Sequence, residues 1–512
     1  MSVAIDAVVI GGGTSGLVAA IALAEAGRKV VVAEAANECG GLLRSVEFAP
    51  GFRASPLAGS VGWIPPEVAR GIGLSVAIAP VESVFAPVGK GEWLELGADP
   101  VKTAAGIQRY APKDAARWGA FAGLINRLAG FLGTLYVSPP PRIDVDTFGE
   151  VVSLLKVGRK LRGLGKVEMV EMLRVMPMAV AELLDEWFEH DLLKGTVAAD
   201  AITDLCQGPL SGGTAFNLLH RHVGGVPGAV RARPNPSAGE LIKHLIERAK
   251  AAGVEIRTGA TVERITIRDD HVGGVVLRGA GEIPCGRVVS SLDPYRSVLE
   301  LVDPVHLDPE FIRSIRNIRF RGAAAKVLVG LDGLPALPEH FSGAISISPS
   351  IRHLERAYDA TKYGRASDDP YLEVRFPTLA GGVAPSGRHV AVIHVQFAPY
   401  RLRDGTWDER RESLGDRVIQ LVDERLPGFA SRVQAGAVYT PPDLEREFGL
   451  REGAVGQGEL MLDQILFMRP VAGWSRYATP IPGLFWCGSG THPGPGVVGV
   501  SGWMAAQAAL KG

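Results

Sequence analysis

Residues 4–44 read AIDAVVIGGGTSGLVAAIALAEAGRKVVVAEAANECGGLLR, and this stretch decides the fold. Ala7 to Ile10 is a short apolar run with β-branched residues, the pattern of a buried strand. Gly11, Gly13 and Gly16 then supply G-x-G-x-x-G. Leu17 to Ala26, rich in Ala and Leu, reads as a helix that Gly27 ends by taking positive φ. Val30 to Ala33 is a second apolar strand, with Glu34 at its end. Strand, glycine turn, helix, strand and acid together make a βαβ dinucleotide-binding unit.

Each residue has its own reason. Gly11 permits the tight turn out of the first strand. Gly13 has no Cβ and lets the backbone approach a pyrophosphate, and Gly16 lets the helix pack close to the sheet. The helix N-terminus offers free N–H groups and partial positive charge to phosphates. Glu34, 18 residues past Gly16, can accept hydrogen bonds from both ribose hydroxyls. A carboxylate there repels a 2′-phosphate, which argues against NADP at this site. The fingerprint alone does not separate NAD from FAD. Cys39-Gly40-Gly41, shortly after the acid, suits a chain passing close to a second part of a long, extended cofactor and favours FAD.

Outward from this unit, the 512 residues suffice for roughly two to four domains. Hydrophobic residues make up 46% of the chain and charged residues 21%, so a large core is available. A net charge of −1 leaves no field to draw in nucleic acid. Cys39, Cys206, Cys285 and Cys487 are scattered, with no C-x-x-C. Neither a redox dithiol nor a metal site is expected, and a reducing, cytoplasmic compartment is. No basic and apolar leader precedes the first strand, so no signal peptide is expected. Leu17 to Ala26 is too short to span a membrane.

Along the chain, Gly51 to Arg70 reads as loop and Val76 to Glu95 as two or three short strands. Pro112 to Leu135 has helical spacing, with Trp118, Phe121, Leu124, Leu128 and Leu132 on one face. Ser138 to Arg142 is a stiff break. Phe148 to Leu193 is mostly helical. Lys156, Arg159, Lys160, Arg162 and Lys166 cluster there beside Leu154, Leu155, Leu161 and Leu164, and Met169, Met172, Met176 and Met178 follow. Two readings stand: a solvated helix face, or a membrane-facing, substrate-entry surface with the methionines as an adaptable apolar entrance. His220 and His222 lie in a glycine-rich stretch without an acidic or cysteine partner nearby, and are expected to pack or bond to a loop. Ala238 to Ala252 is a helix. Residues 254–294 read as a strand, a loop, antiparallel strands and a last strand, Arg287 to Ser290. Lys326 to Leu331, Tyr371 to Phe376 and Val390 to Phe397 read as strands, and Arg411 to Glu424 as a helix. The alternation in HVAVIHVQF (389–397) suits a sheet with one apolar face, expected to floor a pocket.

The C-terminal stretch carries the second signal. Leu484 to Cys487 is a buried strand and Val498 to Leu510 a helix. GPGVVG at 494–499 repeats the glycine spacing, but no second strand and ribose acid follow it. It reads as a glycine turn and helix N-terminus facing a flavin, where partial positive charge favours an anionic ring edge.

DAVVIGGGTSGLVAA with EAANECGGLLRSVEFAPGF, and TPIPGLFWCGSGTHPGPGVVGVSGWMAA near the C-terminus, resemble the flavoproteins of the phytoene desaturase and amine oxidase group. DLEREFG (443–449), GELMLDQILFMRPVAGW (458–474) and QFAPY (396–400) look most like its mitochondrial branch, the pyridine nucleotide-disulphide oxidoreductase domain proteins. The likeness runs through nearly the whole chain. RARPNPSAGEL (231–241) departs from a glycine-rich run, and Gln457 stands where His is expected. The resemblance implies an α/β fold with a discontinuous, two-dinucleotide-binding (Rossmann-like) FAD domain from 1–75, 225–300 and 450–512. A mixed α+β substrate domain comes from 76–224 and 301–449.

It implies non-covalent FAD held by Gly11, Gly13, Thr14, Ser15, Gly16, Glu34, Gly40, Gly41, Arg44, Val262, Gly488, Gly496, Val497 and Val498, with the main chain of Val262 at the adenine. It also implies hydride transfer between a long apolar substrate, carotenoid-, isoprenoid- or lipid-like, and flavin N5, with peripheral membrane contact as one option. The flavin carries such chemistry with little acid–base help, and no catalytic residue is assigned. Arg469, Gln457 and His492 are the polar candidates near the ring, each equally readable as structural. Three other readings stay open: an amine oxidase, which would need an aromatic cage; a flavin-dependent double-bond isomerase, with no net redox turnover; and a non-enzymatic FAD-binding partner protein.

Overall fold

The computed structural model describes residues 4–57, 59, 61–75, 81–89, 91–141, 148–232 and 236–511. β1 (Ala7–Ile10) and β2 (Val30–Ala33) are each four apolar residues, all buried, and α1 (Thr14–Glu25) joins them. α1 begins three residues before the apolar run because Gly13, extended at φ −76°, already serves as its N-cap. Among the described residues, β1 is the centre of a five-stranded parallel sheet ordered Leu484–Trp486, Arg287–Ser290, β1, β2, Glu255–Arg257. Parallel neighbours cannot be joined by a tight turn, so this sheet collects strands from three distant stretches of chain. α1 packs against Ala238–Ala251 and Val500–Lys511. An antiparallel sheet of Val262–Arg268, His271–Leu277 and Gly281–Pro284 stands beside it.

A second sheet runs Val433–Tyr439, Ala324–Leu331, His389–Gln396, Tyr371–Arg375, Gly343–Ile347, Ser83–Gly89, Glu92–Leu96. Side chains alternate between the faces of a strand. One face carries Val327, Val329, Ile345, Val374, Ala391, Ile393 and Val395, which form a core with Trp407, Leu414, Val418 and Val422. Those four belong to the helix Trp407–Asp423, which starts earlier than its periodicity suggests because Thr406 and Glu409 close a capping box. The alternation at 389–397 is therefore real, but its apolar face turns away from the cavity. The expected apolar pocket floor is corrected: the cavity side carries Lys326, His394, Glu373 and Arg375.

Pro112–Tyr136 is one helix, and Trp118, Phe121, Leu124, Leu128 and Leu132 are all buried. Residues 148–193 resolve into Phe148–Gly163, Lys166–Val175, Val180–Trp187 and the start of Asp191–Ile202. Met172 is buried and Met176 and Met178 pack on the same core, so these methionines fill space instead of forming an entrance. Gly51 to Arg70 is not all loop, since it holds the short strand Phe52–Ala54 and most of the helix Pro66–Gly71. The expectations at 76–80, at Arg142 and at 233–235 fall outside the described residues. Among the described residues no helix is long and apolar enough to cross a membrane.

Two glycines separate packing from propensity. A Cβ on Gly502, where the C-terminal helix crosses the start of α1, would fall 2.0 Å from the Ser15 carbonyl oxygen. Exposed Gly119, on the helix Pro112–Tyr136, has nothing within 4 Å of the same position. Gly502→Ala should destabilise the protein by about 1–3 kcal/mol through overpacking. Gly119→Ala should stabilise it by about 0.5–1 kcal/mol. Urea denaturation of both variants checks the two signs.

Candidate functional site

A cavity of about 630 Å³ runs from the β1–α1 turn to the seven-stranded sheet. At its first end the Glu34 carboxylate accepts from Gly12 N at 2.6 Å and Ala36 N at 2.8 Å, so the acid is held against the glycine turn. Ala260, Thr261 and Val262 form the adjoining wall. The Arg44 guanidinium donates to the Glu447 carbonyl at 2.8 Å and lies 4.9 Å over the Phe448 ring. Further in, the Ser501 hydroxyl accepts from Gly488 N at 3.0 Å and donates to Ser15 Oγ at 3.1 Å. That pair ties the N-termini of α1 and the C-terminal helix to one wall. Two helix N-termini facing one space favour a ligand with negative charge there.

Of the residues expected to bind the cofactor, Gly11, Gly13, Thr14, Ser15, Glu34, Gly40, Gly41, Arg44, Val262, Gly488, Gly496, Val497 and Val498 line the cavity. Gly16 backs it instead, since a Cβ there would fall 2.0 Å from the Gly11 carbonyl oxygen. Gln457 lines the cavity, accepting from Gly490 N at 2.9 Å and donating to the Ser291 carbonyl at 3.1 Å. Arg469 and His492, expected beside the ring, do not line it. The buried Arg469 guanidinium donates to the carbonyls of Gly456 (2.6 Å), Ser489 (2.9 Å) and Gln464 (3.1 Å), bracing the loop behind the wall. Burial lowers its pKa to about 9. His492 is also buried, pushed down to about 4 by that burial, with its ring edge-on to Tyr136 at 5.8 Å.

His220 does bond to a loop. Its Nε2–H donates to the Pro495 carbonyl at 2.6 Å, so Nδ1 accepts from the Tyr136 hydroxyl at 2.7 Å. The histidine thereby positions the 494–499 glycine turn, and both it and His222 face the cavity.

The far end of the cavity is charged. Lys326 Nζ donates to His394 Nδ1 at 2.7 Å, and His394 Nε2–H donates to Gln396 Oε1 at 2.8 Å. The Gln396 amide donates in turn to the carbonyls of Leu205 (2.6 Å) and Ile202 (3.0 Å). Burial, and then Lys326, push His394 down to about 4, so it is neutral at pH 7. Glu373 accepts from Arg231 at 2.7 Å and from Arg375 at 2.9 Å. Burial favours its protonation, but the two arginines outweigh it and hold the carboxyl below the usual range. Sequence reading missed this floor. The available signal was a lysine inside the apolar run AAKVLVGL (324–331) and a histidine inside HVAVIHVQ (389–396), each an unusual residue for a buried strand.

A single nucleotide fingerprint opening into a cavity shared with a second sheet marks a two-domain, Rossmann-type flavoprotein. The chain belongs to the flavin containing amine oxidoreductase family, whose model matches residues 215–510, while residues 9–59 match a NAD(P)-binding Rossmann-like domain. It is 30% identical to the rat (Rattus norvegicus) pyridine nucleotide-disulfide oxidoreductase domain-containing protein 2, covering 99% of this chain and 93% of that one. A limonene dehydrogenase polypeptide of Castellaniella defragrans is 24% identical over 98% of this chain and 94% of its own. A phytoene desaturase (lycopene-forming) of Pseudescherichia vulneris is 25% identical over 54% and 55%. Among solved structures, cyclohexylamine oxidase from Brevibacterium oxydans shares the fold, with a TM-score of 0.58 at 15% identity over 99% of this chain and 98% of that one.

The cofactor is FAD, and the residues present fit it. An added Cβ on Gly13 would meet only Gly41, at 3.6 Å from its Cα and 4.0 Å from its N, both ordinary contacts, and Gly13 already has a backbone conformation open to any residue. The protein fold does not require glycine at this position, whereas close approach of a pyrophosphate would. Gly13→Ala should therefore fold like the wild type, by circular dichroism, while its FAD affinity drops by about tenfold or more, which is about 1.4 kcal/mol. The flavin-to-protein absorbance ratio after dialysis reads the loss.

Proposed function

We propose that this chain oxidises a hydrophobic small molecule, isoprenoid- or lipid-like, in the manner of a phytoene desaturase. FAD, when bound, supplies the hydride acceptor at N5. The observation that carries the reading is the continuity of one cavity from the glycine turn and Glu34 to the seven-stranded sheet. The chain's own residues bind and orient. Glu34 and the two helix N-termini hold the nucleotide end, Gln457 and His220 fix the two loops beside the middle, and Leu57, Val61, Val84, Leu205 and Leu460 offer apolar wall to a substrate. Relatives named limonene dehydrogenase and phytoene desaturase support an isoprenoid-like substrate.

Amine oxidation would call for an aromatic cage. Phe448 is the one Phe, Tyr or Trp on the cavity wall among the described residues, and it stands over Arg44 on the nucleotide side, which favours the desaturase-like reading. Anaerobic mixing of the holoprotein with an isoprenoid and lipid panel and with an amine panel is the test. Bleaching of the flavin band is expected with the first panel and not with the second. Bleaching by amines alone would overturn the reading, and an isomerised product with no bleaching would make the protein an isomerase.

The substrate class suggests a membrane surface, and one face suits it. Leu155, Val167 and Leu173 are 66%, 73% and 59% exposed on the helices Phe148–Gly163 and Lys166–Val175. Lys156, Arg159, Lys160 and Arg162 are exposed beside them. The acids of the second helix are spoken for, Glu168 by Arg127 at 3.0 Å and Glu171 by Arg174 at 2.7 Å. Exposed apolar groups next to basic ones match an anionic lipid surface, worth about 1 kcal/mol per cation. Wild-type protein should float with anionic liposomes at low salt and stay down with neutral ones. Changing Lys156, Arg159, Lys160 and Arg162 together to Glu should abolish flotation; if wild type never floats, the membrane contact is refuted.

A further inference from the structure

The floor of the cavity holds an ion pair, Lys326 and Asp204, whose two members keep hydrogen-bonding capacity to spare. Lys326 sits mid-strand, its side chain 7% exposed. One of its N–H groups goes to His394 Nδ1. Its nearest carboxylate oxygen, Asp204 Oδ1, is 3.7 Å away, past hydrogen-bond reach. Asp204 Oδ1 is itself buried without a hydrogen-bond partner, and His394 Nδ1 is 3.8 Å from it. Asp204 adopts φ +63°, a left-handed conformation that Asp enters more readily than most residues with a side chain. It is kept there by its own N–H, which donates to Gln396 Oε1 at 3.0 Å. The Gln396 that orients His394 therefore also orients Asp204. A buried, unbonded acceptor beside a buried cation with spare N–H groups costs free energy unless a ligand completes both.

Charge narrows the ligand. Around this end, the carboxylates of Glu82, Asp200, Asp204 and Glu373 face the cations Arg221, Arg231, Lys326 and Arg375. Glu373 is taken up by Arg231 and Arg375, Asp200 by Arg221 at 3.0 Å, and Glu82 by Arg375. His394 adds no charge while its Nδ1 accepts from Lys326. With four charges of each sign already present, an added carboxylate or ammonium would be buried unpaired, at high cost. A neutral group that both donates and accepts is what remains.

We propose that Lys326 and Asp204 together bind a hydroxyl group of the substrate, which donates to Asp204 Oδ1 and accepts from Lys326 Nζ. The substrate is then an oxygenated apolar molecule, neither a bare hydrocarbon nor an amine. This rests on the oxidoreductase reading above and adds the polar handle that orients the substrate within it. A site built to bond a hydroxyl rejects analogues that lack one, because its own polar groups are left unpaired.

The probes are n-hexane, 1-hexanol, hexanoate and hexylamine, titrated by calorimetry into holoprotein whose flavin-to-protein ratio has first been measured. In the wild type, 1-hexanol should bind at least about tenfold more tightly than each of the other three. Lys326→Met and Asp204→Ala, which remove the donor and the acceptor in turn, should each reduce hexanol to the level of hexane while retaining flavin. Asp204→Ala carries the test if Lys326→Met does not fold. Hexane, hexanoate or hexylamine binding as tightly as hexanol, no hexanol binding at all, or a preference that survives Asp204→Ala would overturn the proposal. A protein purified without flavin and unable to take it up would instead sink the oxidoreductase reading, which the flavin ratio reports separately.

Discussion

The parallel pairing of β1 with Arg287–Ser290 is the constraint on which the rest of the structure depends. Val8 and Val9 pair with Val288 and Val289, across some 280 residues of intervening sequence. No short connection can make that pairing, so the chain must leave the nucleotide-binding sheet, build something large and return. On its return the Ser291 hydroxyl donates to the Ile10 carbonyl at 2.9 Å, at the end of β1 where the glycine turn begins. Leu484–Trp486 then adds at the far side of Arg287–Ser290 and delivers Gly488, the 494–499 turn and the C-terminal helix to the same end. Ligands of open α/β sheets bind at that carboxyl end, and here three stretches remote in sequence supply its walls.

The excursion from the sheet is not neutral packing. Its seven strands divide by period-two alternation into an apolar face covered by the helix Trp407–Asp423 and a face that carries charge into the cavity. Placing ions there is expensive unless they are paired. Most of them are: Glu373 bridges two arginines, and Arg231 also donates to the Thr196 carbonyl at 2.8 Å. Lys326 and Asp204 are also an ion pair, at 3.7 Å, but too far apart to hydrogen-bond to each other, so both keep bonding capacity on the cavity wall. Arg469 shows the opposite solution. It is a buried cation satisfied by backbone carbonyls, which makes it a brace for loop 456–464 and not a group presented to a ligand.

What could be read from the linear chain was local chemistry. β1, β2, the glycine turn and Glu34 follow from apolar run length, the absence of side chains at defined spacings and one acid, all within 28 residues from Ala7 to Glu34. The same holds for the C-terminal strand and glycine turn, and for the apolar stripe of the helix Pro112–Tyr136. These features depend on neighbours in sequence, so their periodicity survives without the fold. The residues expected to bind FAD were legible for that reason, and all of them but Gly16 line the cavity.

The tertiary structure alone decided which face of each strand meets the cavity. Alternation in residues 389–397 predicts two faces but cannot say which one a helix will cover; the helix Trp407–Asp423 took the apolar one and left His394 to the cavity. Nor could spacing reveal that Lys326, His394 and Glu373 form one row, because cross-strand register joins positions 326, 394 and 373. Asp204 reaches that row through a left-handed turn on another segment. Burial likewise separated Gln457, which faces the cavity, from Arg469 and His492, which do not, although Gln457 and His492 both stand in glycine-rich sequence. The glycine-turn end of the cavity was therefore determined by sequence, since it is built from contiguous motifs. The charged end was decided by strand register and helix packing, because its charges are neighbours only in space.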